Sequence, residues 1–180
     1  GKSSLLRRIS NAKPKVAEYP FTTLQPVLGT VESPDGRQLT VADVPGLIEG
    51  ASRGVGLGHE FLAHLERARL LVHVIDAAAG EPAEQFRTID EELRAYGAGL
   101  DRLPQVVVLN KLDLLQSAPA LELDDDRIVR VFPLSAATGQ GVDDFKLALF
   151  ALIPPAPEVP ADPDGLLDFL VYRPQPRRRR

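Results

Sequence analysis

The 180-residue chain contains no cysteine, no methionine and no tryptophan. Without cysteine it can form neither a disulfide nor a cysteine-ligated metal site, and that composition fits a reducing, cytoplasmic location. Without methionine, a chain that begins Gly1-Lys2-Ser3 has no initiating residue of its own. We therefore expect residue 1 to be an internal position of a longer protein.

Long apolar runs are also absent. No stretch reaches the ~18 to 20 uninterrupted apolar residues of a membrane span, and Gly1 to Arg8 lacks the apolar core of a signal peptide. The net charge of −4 is mild and argues against extensive coating of nucleic acid. We expect neither membrane insertion nor secretion.

Apolar runs rich in β-branched residues alternate with segments of helical periodicity, which predicts an α/β sheet with right-handed crossovers. Two segments joined by the turn sequence Pro34-Asp35-Gly36 predict a hairpin, Val27 to Ser33 and Gln38 to Asp43. Three further runs predict buried parallel strands, which need not alternate: Leu70 to Asp76, Gln105 to Asn110 and Ile128 to Leu134. Apolar residues at helical spacing predict three later helices: Glu60 to Arg69, Glu84 to Tyr96 and Val142 to Leu152.

The composition changes sharply after this alternation. Residues 153–163 (IPPAPEVPADP) hold five prolines, which predict a stiff linker. We therefore expect one α/β domain over residues 1–153, a proline-rich linker over 154–164, and the start of a C-terminal domain or tail over 165–180.

The first residues match the end of a phosphate-binding loop, G-x-x-x-x-G-K-[ST]. In that motif Lys2 reaches the β and γ phosphates and the hydroxyl of Ser3 ligates Mg²⁺. An apolar helix with Leu5, Leu6 and Ile9 follows, as the motif requires. A chance surface tripeptide remains the alternative for Gly1 to Ser3 taken alone.

Asn110 to Asp113 (NKLD) follows the apolar strand QVVVLN. Ligands of open α/β sheets bind at the carboxyl ends of strands. A carboxylate at Asp113 can accept both N1–H and the 2-amino group of guanine, whereas adenine would leave it buried and unpaired at a cost of ~1 to 3 kcal/mol. The alternative is that Asp113 caps a helix or turn.

Asp43 to Gly46 (DVPG) follows the strand QLTVAD. Asp43 would hold Mg²⁺ through water, and the Gly46 amide can approach a γ-phosphate because no Cβ intervenes. Taken alone, Pro-Gly slightly favours a simple strand-end turn.

Phe21 to Leu24 (FTTL) lies in a polar stretch between the first helix and the hairpin. A threonine there can ligate Mg²⁺ only while the γ-phosphate is present, and can therefore sense it. Taken alone, two adjacent threonines in a loop indicate little.

Ser135 to Ala137 (SAA) follows the strand IVRVFPL, where small residues would let backbone amides meet the guanine O6. The alternative is an N-cap and turn before the helix at Val142. The order of all five segments on their strands and loops is that of a guanine-nucleotide domain. Together they predict a guanine-nucleotide site.

Two loops have a more specific resemblance. Tyr19 to Pro26 (YPFTTLQP) and Asp43 to Asp76 (DVPGLIEGASRGVGLGHEFLAHLERARLLVHVID) resemble the Obg family of ribosome-assembly GTPases, and the likeness covers roughly residues 1–153. The resemblance implies a P-loop GTPase (Ras-like) domain with a mostly parallel sheet flanked by helices. By the same match, the first strand and the front of the phosphate loop precede Gly1, so we expect this chain alone to bind nucleotide weakly.

The resemblance also implies Mg²⁺-dependent hydrolysis of GTP to GDP and phosphate, association with the large ribosomal subunit and its RNA, and a monomer. It gives Ser3 and Thr23 as the magnesium ligands, and Lys2, Thr23 and Gly46 as the residues that act on the γ-phosphate. The implied nucleotide contacts are Gly1, Lys2, Ser3, Phe21, Thr22, Thr23, Leu24, Gln25, Asp43, Val44, Pro45, Gly46, Asn110, Lys111, Leu112, Asp113, Ser135, Ala136 and Ala137.

Many switch GTPases place Gln just after DxPG to orient the attacking water, but Leu47 and Ile48 stand here and cannot hydrogen-bond. We therefore expect slow turnover that rests on positioning, with a monovalent cation or a partner-supplied group left open as a helper. Two other classes were weighed: an interaction module that no longer uses nucleotide, and a guanine-nucleotide metabolic enzyme. Outside these motifs, we interpret His73 as a satisfied core histidine and Arg177 to Arg180 as either an RNA contact or a solvated end.

Overall fold

The computed structural model describes residues 1–16, 27–43, 67–96 and 99–153. Its helices are α1 (Lys2–Ile9), α2 (Pro82–Tyr96) and α3 (Val142–Leu152), with 3₁₀ turns at Leu100–Arg102 and Leu112–Leu114. Its strands are β1 (Lys15–Val16), β2 (Val27–Glu32), β3 (Gln38–Asp43), β4 (Leu71–Asp76), β5 (Gln105–Asn110) and β6 (Ile128–Pro133).

The strands form two three-stranded sheets rather than one. The order β1-β2-β3 is antiparallel throughout, and the order β4-β5-β6 is parallel throughout. The predicted hairpin is β2 and β3, paired from Val27↔Asp43 to Glu32↔Gln38. Its turn uses Gly36 at φ +84°, a conformation that glycine adopts without a Cβ penalty.

Strand β5 is the centre of the molecule, and all six of its residues are buried. Val106 and Val108 belong to a core that also contains Leu5 of α1 and Phe145 of α3. Val107 and Leu109 belong to a second core with Phe86 of α2. Helices therefore cover both faces of the parallel sheet, which explains why QVVVLN is apolar without alternation.

Strand β6 was predicted to be buried, but most of its residues are partly or fully exposed. It pairs with β5 along one side only within the described residues, and just Phe132 of its six residues is buried. The buried Leu134 follows the strand rather than ending it. Being at an edge leaves Val129 and Arg130 exposed, which the apolar run IVRVFPL did not reveal.

Several predicted features fall outside the described ranges. Of the helix predicted at Glu60 to Arg69, only residues 67–69 are described, and they are not helical. The linker at 154–164 and the segment 165–180 lie wholly outside. Within the described part of the chain, no helix is both long and apolar enough to cross a membrane.

Candidate nucleotide site

The start of α1 lies against the end of β3. The Ser3 hydroxyl donates a hydrogen bond to Asp43 Oδ2 at 2.8 Å, and Lys2 Nζ lies 3.9 Å from Asp43 Oδ1. The Asp43 side chain is 10% exposed, and its Oδ1 has no hydrogen-bond partner among the described residues. An ammonium, a hydroxyl and a carboxylate predicted from separate motifs thus meet at one point.

The base-reading segments meet at the carboxyl ends of β5 and β6. The Asn110 side chain is buried, and its Oδ1 accepts hydrogen bonds from the backbone amides of Lys111 at 2.8 Å and Ala136 at 2.9 Å. Leu112 N also donates to Leu134 O at 3.3 Å. One buried amide therefore joins the NKLD turn to the SAA loop.

Ser135 links the two segments a second time. Its hydroxyl donates to Asp113 Oδ1 at 2.5 Å and accepts from the Thr138 amide at 3.1 Å. The alternative of an N-cap for α3 is wrong, because Gly141 holds that position. A helix-capping role for Asp113 also fails, since Lys111 is the N-cap of its 3₁₀ turn and no side-chain cap bond is made there.

Asp113 itself is exposed, not buried as the argument against adenine supposed. Among the described residues, the fully buried Ser135 fixes the direction of its carboxylate through this hydrogen bond. Adenine would therefore incur the free-energy cost of an unpaired carboxylate only if the bound base itself excludes water from Asp113.

The phosphate end and the base end approach each other at Gly1. A Cβ built on Gly1 would lie 3.3 Å from Asn110 Nδ2 and 3.7 Å from Val74 Cγ1. A cleft of about 290 Å³ opens beside this contact. Its lining includes Gly1, Lys2, Asp76, Gln85, Asn110 and Lys111.

Helix α1 also reaches the base loop at its other end. Arg8 Nη2 donates to Ala137 O at 3.2 Å, and a Cβ on Gly139 would lie only 2.9 Å from the same nitrogen. Gly139 has φ +94° and leaves room for the guanidinium. One helix therefore touches both halves of the site.

Asp76 also lines the cleft beside Gly1, although no motif predicted it. Its carboxylate forms an ion pair with Lys111 Nζ, which holds the pKa of Asp76 below its usual value. The available signal was its position, since Asp76 ends β4 and is the register partner of Asn110 in the parallel pair.

A larger cavity, about 390 Å³, lies elsewhere, between one face of α2 and residues 122–125. None of the predicted site residues lines it, so volume alone does not mark the site. Asp90 of that wall is engaged by Arg94 at 2.7 Å and Arg127 at 2.9 Å.

The remaining predicted site residues, Phe21, Thr22, Thr23, Leu24, Gln25, Val44, Pro45 and Gly46, lie outside the described residues. Within the described ranges, no group of three or more His, Asp or Glu side chains is placed to hold a metal ion.

A family model described as 50S ribosome-binding GTPase matches residues 1–111. The curated GTPase Obg of Geobacillus kaustophilus is 50% identical over 96% of this chain, and that of Synechocystis sp. is 45% identical over 94%. The chain spans 42% and 47% of the length of these two relatives.

Solved structures give the fold. The cytosolic domain of the T. maritima FeoB iron transporter in its GMPPNP form superposes with a TM-score of 0.61 at 20% identity, over 88% of this chain and 62% of that one. The G domain of the same transporter covers 84% of this chain and 91% of its own, with a TM-score of 0.56 at 18% identity. At these identities the likeness concerns architecture alone.

Proposed function

Because this chain belongs to the family of 50S ribosome-binding GTPases and is about 50% identical to Obg GTPases, we propose that its protein binds GTP and hydrolyses it to GDP and phosphate. The observation that carries the proposal is the meeting of Lys2, Ser3 and Asp43 beside the NKLD turn. Ligands of open α/β folds bind at the carboxyl ends of strands, and both groups lie at such ends, because Asp43 ends β3 and Asn110 ends β5.

The phosphate half fits a hydrated divalent cation. Asp43 Oδ1 is a buried carboxylate oxygen with no hydrogen-bond partner among the described residues, and such an atom is costly unless a cation or water meets it. The Ser3 hydroxyl donates its hydrogen bond to Asp43 Oδ2, so the lone pairs of the Ser3 oxygen remain available to ligate a cation. Mg²⁺ bound there would neutralise charge that develops on the β and γ phosphate oxygens.

Lys2 contributes a positive charge to the same place. Its ammonium forms an ion pair with Asp43, with Nζ 3.9 Å from Oδ1. Phosphate oxygens entering the cleft would attract it as a point charge. We propose that Lys2 thereby holds the β and γ phosphates, while Thr23 and the Gly46 amide respond to the γ-phosphate.

The base half favours guanine. Asp113 presents an acceptor carboxylate at the end of β5, directed by the Ser135 hydroxyl. The SAA loop is fixed beside it through Asn110 and the Ala136 amide. We propose that Asp113 accepts from guanine N1–H and the 2-amino group, and that loop amides at Ala136 and Ala137 face O6.

We propose that GTP hydrolysis is slow. Leu47 and Ile48 have no hydrogen-bonding group with which to orient a water molecule, so acceleration rests on positioning and charge. A monovalent cation or a partner-supplied group remains a candidate for the missing contribution.

We also propose the wider arrangement. Residues 1–153 form the G domain, 154–164 the linker, and 165–180 the start of a further domain or tail. Supporting this boundary, α3 ends at Leu152 and the prolines begin two residues later. Association with the large ribosomal subunit is proposed from the family description.

Titration calorimetry on the full-length protein tests the base assignment. Wild type should bind GDP and GTP and reject ATP. Asp113→Asn should weaken GTP by roughly tenfold or more and improve xanthosine triphosphate, whose 2-oxo group needs a donor. Unchanged GTP affinity in Asp113→Asn would remove the assignment. Wild type that binds no nucleotide would favour an interaction module instead.

A further inference from the structure

Lys111 holds an unusual backbone conformation in the NKLD turn. It has φ +71°, and it is the one non-glycine residue with positive φ in the described part of the chain. A side chain in the left-handed region costs conformational energy, so surrounding contacts must hold it there. One such contact is the hydrogen bond from the Lys111 amide to Asn110 Oδ1.

The second contact is made by the side chain. Lys111 Nζ pairs with the carboxylate of Asp76, the last residue of β4. That carboxylate also accepts a hydrogen bond from the Ala78 amide at 3.1 Å. The adjacent Ala77 amide donates to Asn110 O at 2.9 Å, so the two strand ends are joined at backbone level as well.

Helix α2 fixes Asp76 in turn. The Gln85 side chain accepts from the Asp76 amide at 3.2 Å and donates to the Asp76 carbonyl at 2.9 Å. It also donates to Ala79 O at 2.6 Å. Both backbone groups of Asp76 are therefore bound to a helix, which fixes the backbone position from which its carboxylate reaches Lys111.

We propose that Asp76 is a positioning residue for guanine-nucleotide binding, acting through Lys111 to keep the NKLD turn in its left-handed form. The inference rests on the proposed function of the site. In that form Asn110 bonds both the turn and the SAA loop, and Asp113 meets Ser135. Without the pair, the turn relaxes toward ordinary backbone angles and both base-reading groups shift.

The exposure of the pair predicts where its effect will be visible. The side chains of Lys111 and Asp76 are 43% and 29% exposed, so solvent screens their attraction and little global stability depends on it. The melting temperature should therefore hardly change when the pair is broken. Nucleotide affinity should change, because it requires the turn geometry.

A double-mutant cycle in the full-length protein separates this role from a merely structural one. Asp76→Ala should weaken GDP binding about tenfold, and Asp76→Ala combined with Lys111→Ala should bind no worse than Lys111→Ala alone. The isosteric Asp76→Asn should resemble Asp76→Ala, whereas Asp76→Glu should recover part of the affinity. Asp35→Ala is the matched control, because it breaks an exposed Asp–Arg pair on the hairpin and should leave GDP binding unchanged.

Additive losses in the cycle, or equal losses from Asp35→Ala, would overturn the proposal. So would full affinity in Asp76→Asn. If wild type binds GDP and the losses in the cycle are additive, only the proposed role of Asp76 is wrong. If wild type itself fails to bind guanine nucleotide, the proposed function is wrong as well.

Discussion

Ser3 and Asp43, forty positions apart in the sequence, are joined by a 2.8 Å hydrogen bond from the Ser3 hydroxyl to Asp43 Oδ2. This bond connects the first turn of α1 to the last residue of β3. It directs the serine proton toward protein and the oxygen lone pairs away from it.

Ser3→Ala should therefore weaken Mg²⁺-dependent GTP binding by about tenfold or more, because it removes a ligand oxygen and leaves Asp43 with one fewer hydrogen bond. Ser3→Thr keeps the hydroxyl and is the matched control. The measurement is a magnesium titration of GTP affinity for each variant. Equal behaviour of the alanine and threonine variants would contradict the ligand role.

Thr23 gives a different prediction, drawn from the sequence. Its ligation depends on the γ-phosphate, so Thr23→Ala should reduce GTP affinity by about tenfold and leave GDP affinity unchanged. Both affinities are measured by calorimetry with Mg²⁺ present, and Thr30→Ala, at an exposed threonine of β2 outside the predicted site, serves as the control. An equal loss for both nucleotides would mean that Thr23 has a structural role.

Gly29 of β2 marks a close approach of helix α1. A Cβ there would lie 2.1 Å from Ser10 Oγ and 2.8 Å from Leu6 Cδ1. Gly29→Ala should lower the free energy of unfolding by ~1 to 3 kcal/mol, as overpacking generally does. Urea denaturation measures it.

The matched variant combines Gly29→Ala with Ser10→Ala, which removes Ser10 Oγ, the atom nearest to the new Cβ. The double variant should be more stable than the sum of the two single changes in unfolding free energy predicts. Simple additivity would show that the helix moves away instead.

His73 should make stability depend on pH. It is buried against Phe86, with ring centroids 4.6 Å apart, and burial lowers its pKa. Below its ordinary value of about 6.5 the unfolded chain binds a proton that the folded imidazole does not. The free energy of unfolding should therefore fall as pH drops through about 6.5, by at most about 1.4 kcal/mol per pH unit.

His73→Phe keeps the ring stack and removes the titrating group. The difference between the wild-type and variant stability curves, from pH 7.5 to 5, isolates His73 from other histidines. Asp76 and Asp125 have lowered pKa values, so their contribution is lost only at more acidic pH, below about 4. Parallel curves for the two proteins would contradict the assignment.

The sequence predicted the strands and helices whose apolar pattern follows directly from how they are buried. The run QVVVLN is buried on both faces, so β5 has the predicted bounds, and the turn at Gly36 fixed the hairpin. The P-loop GTPase fold and the Obg resemblance are both confirmed. The two-residue strand Lys15–Val16 was missed, because two exposed residues carry no periodicity.

The candidate site was predictable where a motif is local, and not where it depends on pairing. Lys2 and Ser3 came from a short pattern at the start of a helix, and Asp43 and Asn110 from short patterns at strand ends. Asp76 has no motif of its own, since its importance arises from lying opposite Asn110 in a register that only the sheet defines. His73 was interpreted correctly as a core residue, but its Nε2 has no partner in the described part of the chain, so it is not fully satisfied.

The complete burial of β5 also determines the order in which parts of the molecule open to solvent. In deuterium oxide the amides of Val106 to Val108, enclosed between two neighbouring strands and two cores, should exchange only through global opening. The NKLD turn begins where this strand ends, so Asp113, the proposed base-reading residue, follows directly on a strand whose amides we expect to exchange slowly. We therefore expect local fluctuations at the start of α1 to leave the base preference unaffected.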